Sequence, residues 1–448
     1  MNFEKFKEAV IAAAKAMGIE EYELYYQASE ETAVGIYQQE VDEFSASVEG
    51  GVCLRCIVNG KMGYAATEDL SLEQAESIVR RAYENALVLE SEEPVFLNPG
   101  GIEYTPMAQQ LYPLPTAEEL IFQALDTQKR LYAADPGVVD GCSTQGVAES
   151  VSLAICNSKG LDVSYHNQVA GLVVGALVEA GEEKANDYQI KLGQLDTIDK
   201  DALVNKAVKA AKSKLGGEVA PTMVCPVVFD PEAMSDLLQE FSGIFSSEAA
   251  QKGLSRLADK EGNVIASSAV TIMDDPFHKD NPMPIPFDAE GSATYAKAVV
   301  EKGVLKTLLY NLKTANMAGK KTTGNAAKAS YSSTVGVRPF TMYLAPGEFT
   351  EEQLLKKAGN GVYINTLNGL HAGANSVSGD FSLQSAGWLI ENGVKTKAVN
   401  SFTVAGNFYE MLKNITAVAD NVTLPMAMGM TAFGAPSTLV ENLSIAGK

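Results

Sequence analysis

The chain has 448 residues, of which 46% are hydrophobic and 20% charged, values that are ordinary for a protein with sizeable buried cores. Its formal net charge of −21 argues against direct binding of nucleic acid, because that binding requires lysine and arginine to displace the counterions of the phosphates. No run approaches the about 18 uninterrupted apolar residues of a membrane-spanning helix, so we expect no membrane partner either.

Two features of the sequence indicate the compartment. The first ten residues carry acidic side chains and no apolar run, unlike a secretory signal. Five cysteines are few for a chain of this length and odd in number, which fits the reducing cytoplasm better than a disulfide framework. We therefore expect a cytoplasmic protein, of about three domains on length alone.

The first predicted domain, residues 1–95, combines strands with helices. Residues 2–17 place apolar side chains at helical spacing and are followed by a glycine. Short alternating runs that predict strands come next, and Asn59-Gly60 between two of them is typical of a two-residue hairpin turn. Ser71, with a glutamine three residues later, then predicts a capped helix.

A second unit of the same kind follows. The proline-rich residues 96–115 predict a connector without regular structure, and Thr116 opens the middle domain, residues 116–218, with another capped helix. Strand-like runs and a helix over about 199–213 complete this domain. The apolar positions of that helix match those of the helix after Ser71 at one constant offset, which pairs Val79, Ala82 and Ala86 with Val204, Ala207 and Ala211. Either a diverged duplication or the general likeness of alanine-rich helices accounts for this match.

The rest of the chain, residues 222–448, is rich in strand-like runs that are separated by glycine-containing turns. The stretch "KLGGEVAPT" (214–222) marks the boundary before it. The predicted fold class is therefore α+β, with an N-terminal α/β portion of two strand–helix units, duplicated or not, followed by a large β-rich C-terminal domain.

One helix interrupts the C-terminal domain clearly, over residues 231–245. Asp230 is a good N-cap residue, and the proline that follows it needs no amide donor at the first helical position. Apolar residues recur at the spacing of one buried stripe; they are Met234, Leu237, Leu238, Phe241 and Phe245. Gln239 and Glu240 lie off that stripe.

This helix and several later motifs resemble the TldD/PmbA family. The motifs are spread over most of the chain, and they include "LLQEFSGIF" (237–245), "FDAEGSAT" (287–294), "TTGNA" (322–326), "SGDFSLQSAGWLIENG" (378–393) and "TVAGNFYEMLKNI" (403–415). One branch of the family contains zinc peptidases with His-Glu-x-x-x-His in the matching helix. By this resemblance Gln239 and Ile244 stand where the two histidine ligands would be, and Glu240 stands where a zinc peptidase holds its general base.

The third zinc ligand of that branch, a cysteine near the C-terminus, also has no counterpart. The matching region reads "TLPMAMGMTAFGAP", which contains Met426, Met428 and Met430 and no cysteine. Protein zinc sites use cysteine, histidine and carboxylate groups, so we predict no metal, no cofactor and no catalytic residue on this chain. Without a metal, Glu240 has little to activate. We expect the methionines to line an apolar interior, and an adaptable peptide groove or chamber wall is the alternative.

The resemblance implies the metal-free, TldE/PmbA-like subunit of a cytoplasmic TldD/TldE-type metallopeptidase complex. Its partner would be a TldD-like subunit that carries the zinc, and the complex would act on unfolded peptides. This chain would shape the chamber and support substrate binding, and a homodimer of the isolated chain stays open. Two alternatives are an interaction protein that modulates DNA gyrase, and a stand-alone hydrolase that uses Glu240 or the loop at Asp274 and Asp275.

Two further motifs favour a structural interpretation. Cys53 and Cys56 form a CxxC pair within a predicted strand, where side chains three residues apart point to opposite faces of the sheet. The run "DDPFHKD" (274–280) contains enough carboxylates to ligate a divalent cation, but aspartate and proline also form turns readily, and we favour a turn.

Overall fold

The N-terminal region begins with a helix, three strands and a second helix. The structure is a computed structural model that describes residues 2–91, 93–107, 113–424 and 431–448. Its first elements are α1 (Phe3–Ala16), β1 (Glu21–Tyr37), β2 (Glu40–Val58), β3 (Lys61–Thr67) and α2 (Leu72–Val88). The turn between β2 and β3 is the predicted one, because Asn59 and Gly60 both have positive φ, at 51° and 74°.

The same order of elements then occurs a second time. The members are α3 (Ala117–Ala134), β4 (Ser143–Asn157), β5 (Asp162–Ala180), β6 (Glu183–Leu192), a 3₁₀ turn (Leu195–Thr197) and α4 (Lys200–Ser213). The predicted capping box at the start of α3 is present, with the side chains of Thr116 and Glu119 each accepting a backbone N–H of the other residue.

The six strands of both units form one antiparallel sheet in the order β3-β2-β1-β4-β5-β6. The two units therefore meet at the β1–β4 pair in the middle of the sheet, and each unit contributes three strands and two helices. The helix positions that the sequence pairs at one offset are all no more than 1% exposed. The repeated order and the equivalent burial together support duplication.

The C-terminal region contains short strands and helices in alternation. Its first elements are β7 (Glu218–Val219), β8 (Met223–Phe229), α5 (Pro231–Phe241), a 3₁₀ turn (Ser242–Phe245), α6 (Ser247–Gln251), β9 (Ile272–Asp274), β10 (Lys297–Glu301), β11 (Val304–Leu305), α7 (Leu312–Met317), β12 (Ala326–Ala327), β13 (Gly336–Val337) and β14 (Thr341–Leu344). The remaining elements are α8 (Glu351–Ala358), β15 (Gly361–Asn368), α9 (Leu370–Gly373), β16 (Asp380–Glu391), β17 (Val394–Asn407), α10 (Phe408–Asn414), β18 (Ile415–Val418), β19 (Ala432–Gly434) and β20 (Thr438–Ala446).

Two sheets organise this region around α5. One has the order β18-β20-β8-β15-β16-β17-β7, and an additional β20–β17 pairing closes five of its strands into a ring. The other has the order β11-β10-β9-β14-β19. Helix α5 contacts β8 and β15 of the first sheet and β14 and β19 of the second, so its apolar side chains lie in the core that the two sheets share.

Both faces of the N-terminal sheet pack against other parts of the chain. Helices α1 to α4 cover one face over two apolar cores. On the other face Tyr25, Cys53 and Tyr165 pack against Phe287 and Phe340 of the C-terminal region. No described helix is both long and apolar enough to cross a membrane.

Candidate functional site

The candidate site is built on α5, which begins directly after the buried strand β8. Asp230 caps the helix, since its Oδ1 accepts a hydrogen bond from the Ala233 N–H at 2.8 Å, and Pro231 occupies the first turn. Burial raises the pKa of the Asp230 carboxyl to about 8. The start of the helix is therefore held in place by a strand, a cap and a proline.

The apolar stripe predicted for this helix is confirmed. All five of its members are no more than 1% exposed. Phe241 stacks on Phe408 with ring centroids 4.6 Å apart, which ties the end of the helix to α10. The α-helix ends at Phe241, earlier than the predicted residue 245, and continues as the 3₁₀ turn. Gly243 lies in that turn, and glycine is unfavourable within an α-helix.

The structure separates Gln239 and Ile244, the two positions that we expect to correspond to zinc ligands. Gln239 is exposed on the last turn of α5, and Glu240 beside it is half-buried. Ile244 is only 1% exposed and belongs to the core between the two sheets. Gln239 and Ile244 are thus not brought to one solvent-facing site. Met426, Met428 and Met430 lie outside the described residues.

The side chains present at these positions do not fit a zinc ion. Zn²⁺ binds thiolate, imidazole or carboxylate groups, whereas an exposed carboxamide and a buried alkyl group stand at the two helix positions. Within the described ranges, no group of three or more His, Cys, Asp or Glu side chains is arranged to hold a metal ion. These two positions therefore support no metal-dependent step.

The polar face of α5 carries an acidic ladder that the sequence analysis missed. Glu232, Asp236 and Glu240 follow one another at four-residue spacing, which places them on one side of the helix. Burial raises the pKa of Asp236 to about 6, and the nearby Glu232 carboxylate adds to the rise. Burial also raises the pKa of Glu232, with a further contribution from Asp187 of β6. The four-residue spacing of like charges, which is unfavourable on a helix, was the signal that could have revealed it.

A cavity of about 400 Å³ opens beside the 3₁₀ turn that holds Ile244. Ser255 and Arg256 line it from one side, and Asn375 and Ser378 from the other. The Ser255 hydroxyl donates to the Ile244 carbonyl at 2.6 Å, which joins the cavity wall to the end of the α5 segment. Its lining combines an arginine, hydroxyls and an amide, groups that bind the backbone and carboxylate oxygens of a peptide.

The Asp274 carboxylate has a structural role. Its Oδ2 accepts from Lys297 Nζ at 3.1 Å and from Asn325 Nδ2 at 2.7 Å. Its Oδ1 accepts from the backbone N–H groups of Phe340 and Thr341 at 2.9 and 3.0 Å. Both oxygens are therefore occupied by donors of this chain, which favours the turn interpretation of this loop over the cation site.

The two cysteines of the CxxC pair lie on opposite faces of the N-terminal sheet. Cys53 belongs to the core between the sheet and the C-terminal region, and Cys56 belongs to the core under α1 and α2. Burial raises the pKa of the Cys56 thiol to about 11, which disfavours the reactive thiolate. Both cysteines are core residues.

Comparison with known proteins places the whole chain in one family. Three family models match, described as PmbA/TldA metallopeptidase domain 1 over residues 22–86, central domain over residues 112–215 and C-terminal domain over residues 222–447. The chain is 26% identical to a metalloprotease PmbA homolog of Haemophilus influenzae, over 86% of this chain and 84% of that protein. It is 25% identical to a metalloprotease TldD homolog of Buchnera aphidicola, over 95% of this chain and 92% of that protein.

Two solved structures share the fold. A Thermotoga maritima protein described as a proposed modulator of a DNA gyrase superposes with a TM-score of 0.88 and 31% identity, covering 99% of this chain and 100% of that one. TldE from Thermococcus kodakarensis superposes with a TM-score of 0.87 and 22% identity, covering 98% of this chain and 99% of that one. Because one family model spans more than half of the chain and a solved relative matches nearly all of it, this chain belongs to the PmbA/TldD family of metallopeptidases.

Proposed function

We propose that this chain is the metal-free, TldE/PmbA-like subunit of a cytoplasmic metallopeptidase complex. A TldD-like partner subunit supplies the zinc ion and the catalytic helix, and the complex cleaves unfolded peptides. This chain shapes the chamber and supports the binding of substrate.

The observation that supports this proposal most directly is the type and burial of the side chains at Gln239 and Ile244. An imidazole at Ile244 would lie in the apolar core rather than at a solvent-facing metal site, and Gln239 offers only an amide. The scaffold of the helix is nevertheless intact, with its cap, its proline and its buried stripe. A family member that keeps this scaffold and lacks the ligands contributes to the reaction by shaping the chamber and by supporting the binding of substrate.

The cavity beside the same helix supports the part of the proposal that concerns peptides. Arg256 lies over the ring of Tyr409, with its guanidinium carbon 5.2 Å from the ring centroid, and this contact fixes the cation at the cavity wall. A fixed cation next to hydroxyl and amide groups can bind the carboxylate and carbonyl oxygens of an extended chain.

The test is affinity purification of the tagged chain from its native host, followed by mass spectrometry, metal analysis and a peptidase assay. We expect a second family member with His-Glu-x-x-x-His to be recovered. We also expect zinc and chelator-sensitive cleavage of an unfolded peptide in the complex, and neither in the isolated chain. The matched control is the same complex with the partner's His-Glu-x-x-x-His glutamate changed to glutamine, which should lose cleavage and retain assembly.

Each alternative function has its own outcome in these experiments. Stoichiometric zinc and chelator-sensitive cleavage by the isolated chain would identify a stand-alone hydrolase. Recovery of gyrase by the pure chain, in the absence of any peptidase partner, would identify the interaction protein. Repeated failure to recover a family partner would contradict the proposal.

A further inference from the structure

One long edge of the N-terminal sheet is open. Strand β2 pairs with β1 from Glu40 to Ile57, but β3 covers the other side of β2 only from Val52 to Val58. Among the described residues, the part of β2 before Val52 therefore has no second neighbouring strand. Residues 41–49 are all exposed, and at about 3.4 Å per residue this edge is roughly 30 Å long. Such an edge presents backbone N–H and C=O groups that another chain can pair with.

One face of this edge carries two exposed apolar side chains, beside the exposed carboxylate of Glu30, which lies directly opposite Val48. Phe44 is 55% exposed and Val48 is 78% exposed. Residues directly opposite each other in an antiparallel pair share a face, and Phe44 lies opposite Val34 of β1. Val34 is fully buried in the core under α3. The apolar surface that α3 covers on β1 thus continues uncovered onto β2.

The other face of the same edge is acidic. Glu43 and Glu49 lie opposite Gly35 and Ser29 of β1, so strand alternation places both on the face away from the helices. Glu31 of β1 shares this face. It lies directly opposite Glu149 of β4, whose pKa is raised by burial and, to a lesser extent, by the Glu31 charge.

No basic residue offsets these carboxylates along the hairpin. The sequence contains no lysine or arginine between Lys15 and Arg55, a range that includes all of β1 and the exposed part of β2. A second copy of this chain paired along the same edge would bring its own Glu43 and Glu49 next to these carboxylates. Like charges placed opposite each other destabilise a strand pair, so the charge favours a basic occupant.

We propose that the open edge of β2 binds an extended peptide in which apolar and basic residues alternate. Its backbone pairs with β2, its apolar side chains lie beside Phe44 and Val48, and its lysine or arginine side chains lie beside Glu43 and Glu49. This inference rests on the proposed function for its substrate class, an unfolded peptide, and adds the sequence pattern that this subunit selects.

The test is fluorescence anisotropy of the isolated full chain with labelled ten-residue peptides at nanomolar concentration. The probe alternates lysine and valine, and its matched control contains five lysines followed by five valines. Both peptides have the same composition and charge, but only the first places its charges on one side of a strand. We expect at least tenfold tighter binding of the alternating peptide, and loss of binding when its backbone amides are N-methylated.

Two double substitutions separate the edge from general electrostatics. Glu43→Lys with Glu49→Lys should weaken binding of the alternating peptide at least tenfold. Glu76→Lys with Glu84→Lys changes the net charge equally at two exposed positions of α2, and should leave binding within twofold of the unsubstituted chain. Circular dichroism of each variant checks that its fold is unchanged.

Three outcomes would overturn the inference. They are equal binding of the two peptides, equal effects of the two double substitutions, and a concentration-dependent dimer of the isolated chain that Phe44→Lys dissociates, since a second copy would then occupy the edge. None of them bears on whether a zinc-bearing partner is recovered from the host, so failure here is distinguishable from failure of the proposed function.

Discussion

Gln239 is exposed to solvent, whereas Ile244, five residues further along the same helical segment, is only 1% exposed and lies in the core between two sheets. Five residues rotate two positions about 140° apart on an ideal helix. The change to a 3₁₀ turn after Phe241 does not bring these two side chains to one face, because the second of them is needed to fill the core.

Introducing histidines at positions 239 and 244 should therefore destabilise the protein rather than create a metal site. We expect Ile244→His to lower the free energy of unfolding by about 2–4 kcal/mol, because it removes buried alkyl surface and places an imidazole among apolar groups. Gln239→His alone is the control and should change the free energy of unfolding by less than about 0.5 kcal/mol. Urea unfolding and metal analysis of the double variant are the measurements, and unchanged stability with one bound zinc ion would contradict the expectation.

Asp236 should make stability depend on pH in the weakly acidic range. Its pKa is about 6 in the folded chain, above the about 4 of an aspartate in an unfolded chain. The folded state therefore binds the proton more tightly, so the free energy of unfolding falls as pH rises from about 4 to 6. Asp236→Asn should raise stability at pH 7.5 by about 1–2 kcal/mol and flatten the change between pH 4 and 6.

Thermal unfolding at several pH values measures this effect. Asp196→Asn, at an exposed position, is the matched control and should leave the pH profile as it is. A profile for Asp236→Asn that runs parallel to that of the unsubstituted chain would show that the half-buried Asp236 carboxylate does not cause the pH dependence.

The buried pair of Asp274 and Lys297 should be costly to break from one side. The two side chains are 0% and 5% exposed, and their charged atoms are 3.1 Å apart. Asp274→Ala leaves the lysine buried without a counter-charge, and we expect a loss of about 3–5 kcal/mol. Glu352→Ala, which breaks the exposed pair with Lys356, should cost less than about 1 kcal/mol. Comparable losses at the two sites, measured by urea unfolding, would contradict this difference.

Arg55 should hold the N-terminal sheet against the C-terminal region. Its guanidinium donates to Glu23 at 2.7 Å within the sheet and to Glu290 at 3.2 Å across the contact. Arg55→Met leaves both carboxylates buried without the guanidinium counter-charge, so we expect a loss of about 3–5 kcal/mol at neutral pH. The loss should be smaller at pH 5, because unpaired buried carboxylates take up protons more readily.

Hydrogen exchange locates the effect of Arg55→Met. We expect faster exchange in β2 and in residues 285–292, on the two sides of the contact, and unchanged exchange in α5. A uniform increase over the whole chain would instead indicate a general loss of stability.

Local features of the fold were predictable from the sequence because nearby residues determine them. Asn59-Gly60 predicted a turn because both residues tolerate positive φ. Asp230 predicted a helix cap because its carboxylate can reach the N–H of Ala233. The buried stripe of α5 was predictable from its spacing alone.

Features that join distant segments were not predictable in this way. The pairing of β1 with β4 brings together residues such as Tyr25 and Ile155 and makes one sheet of two units. The partners of Asp274 come from Lys297, Asn325 and the start of β14. The acidic ladder of α5 was visible as a spacing, but the raised pKa values of Glu232 and Asp236 depend on burial, and that of Glu232 also on Asp187 of β6.

The sequence by itself determined which chemical groups stand at residues 239 and 244, the positions expected to match zinc ligands, because donor chemistry is a property of the side-chain type. It also determined the charge of the β2 edge, through a long run without lysine or arginine. Only the tertiary structure decided that Ile244 is a core residue and that part of β2 lacks a second neighbouring strand among the described residues. Burial and strand pairing depend on segments that are distant in the chain, and one-dimensional spacing carries no information about how those segments meet.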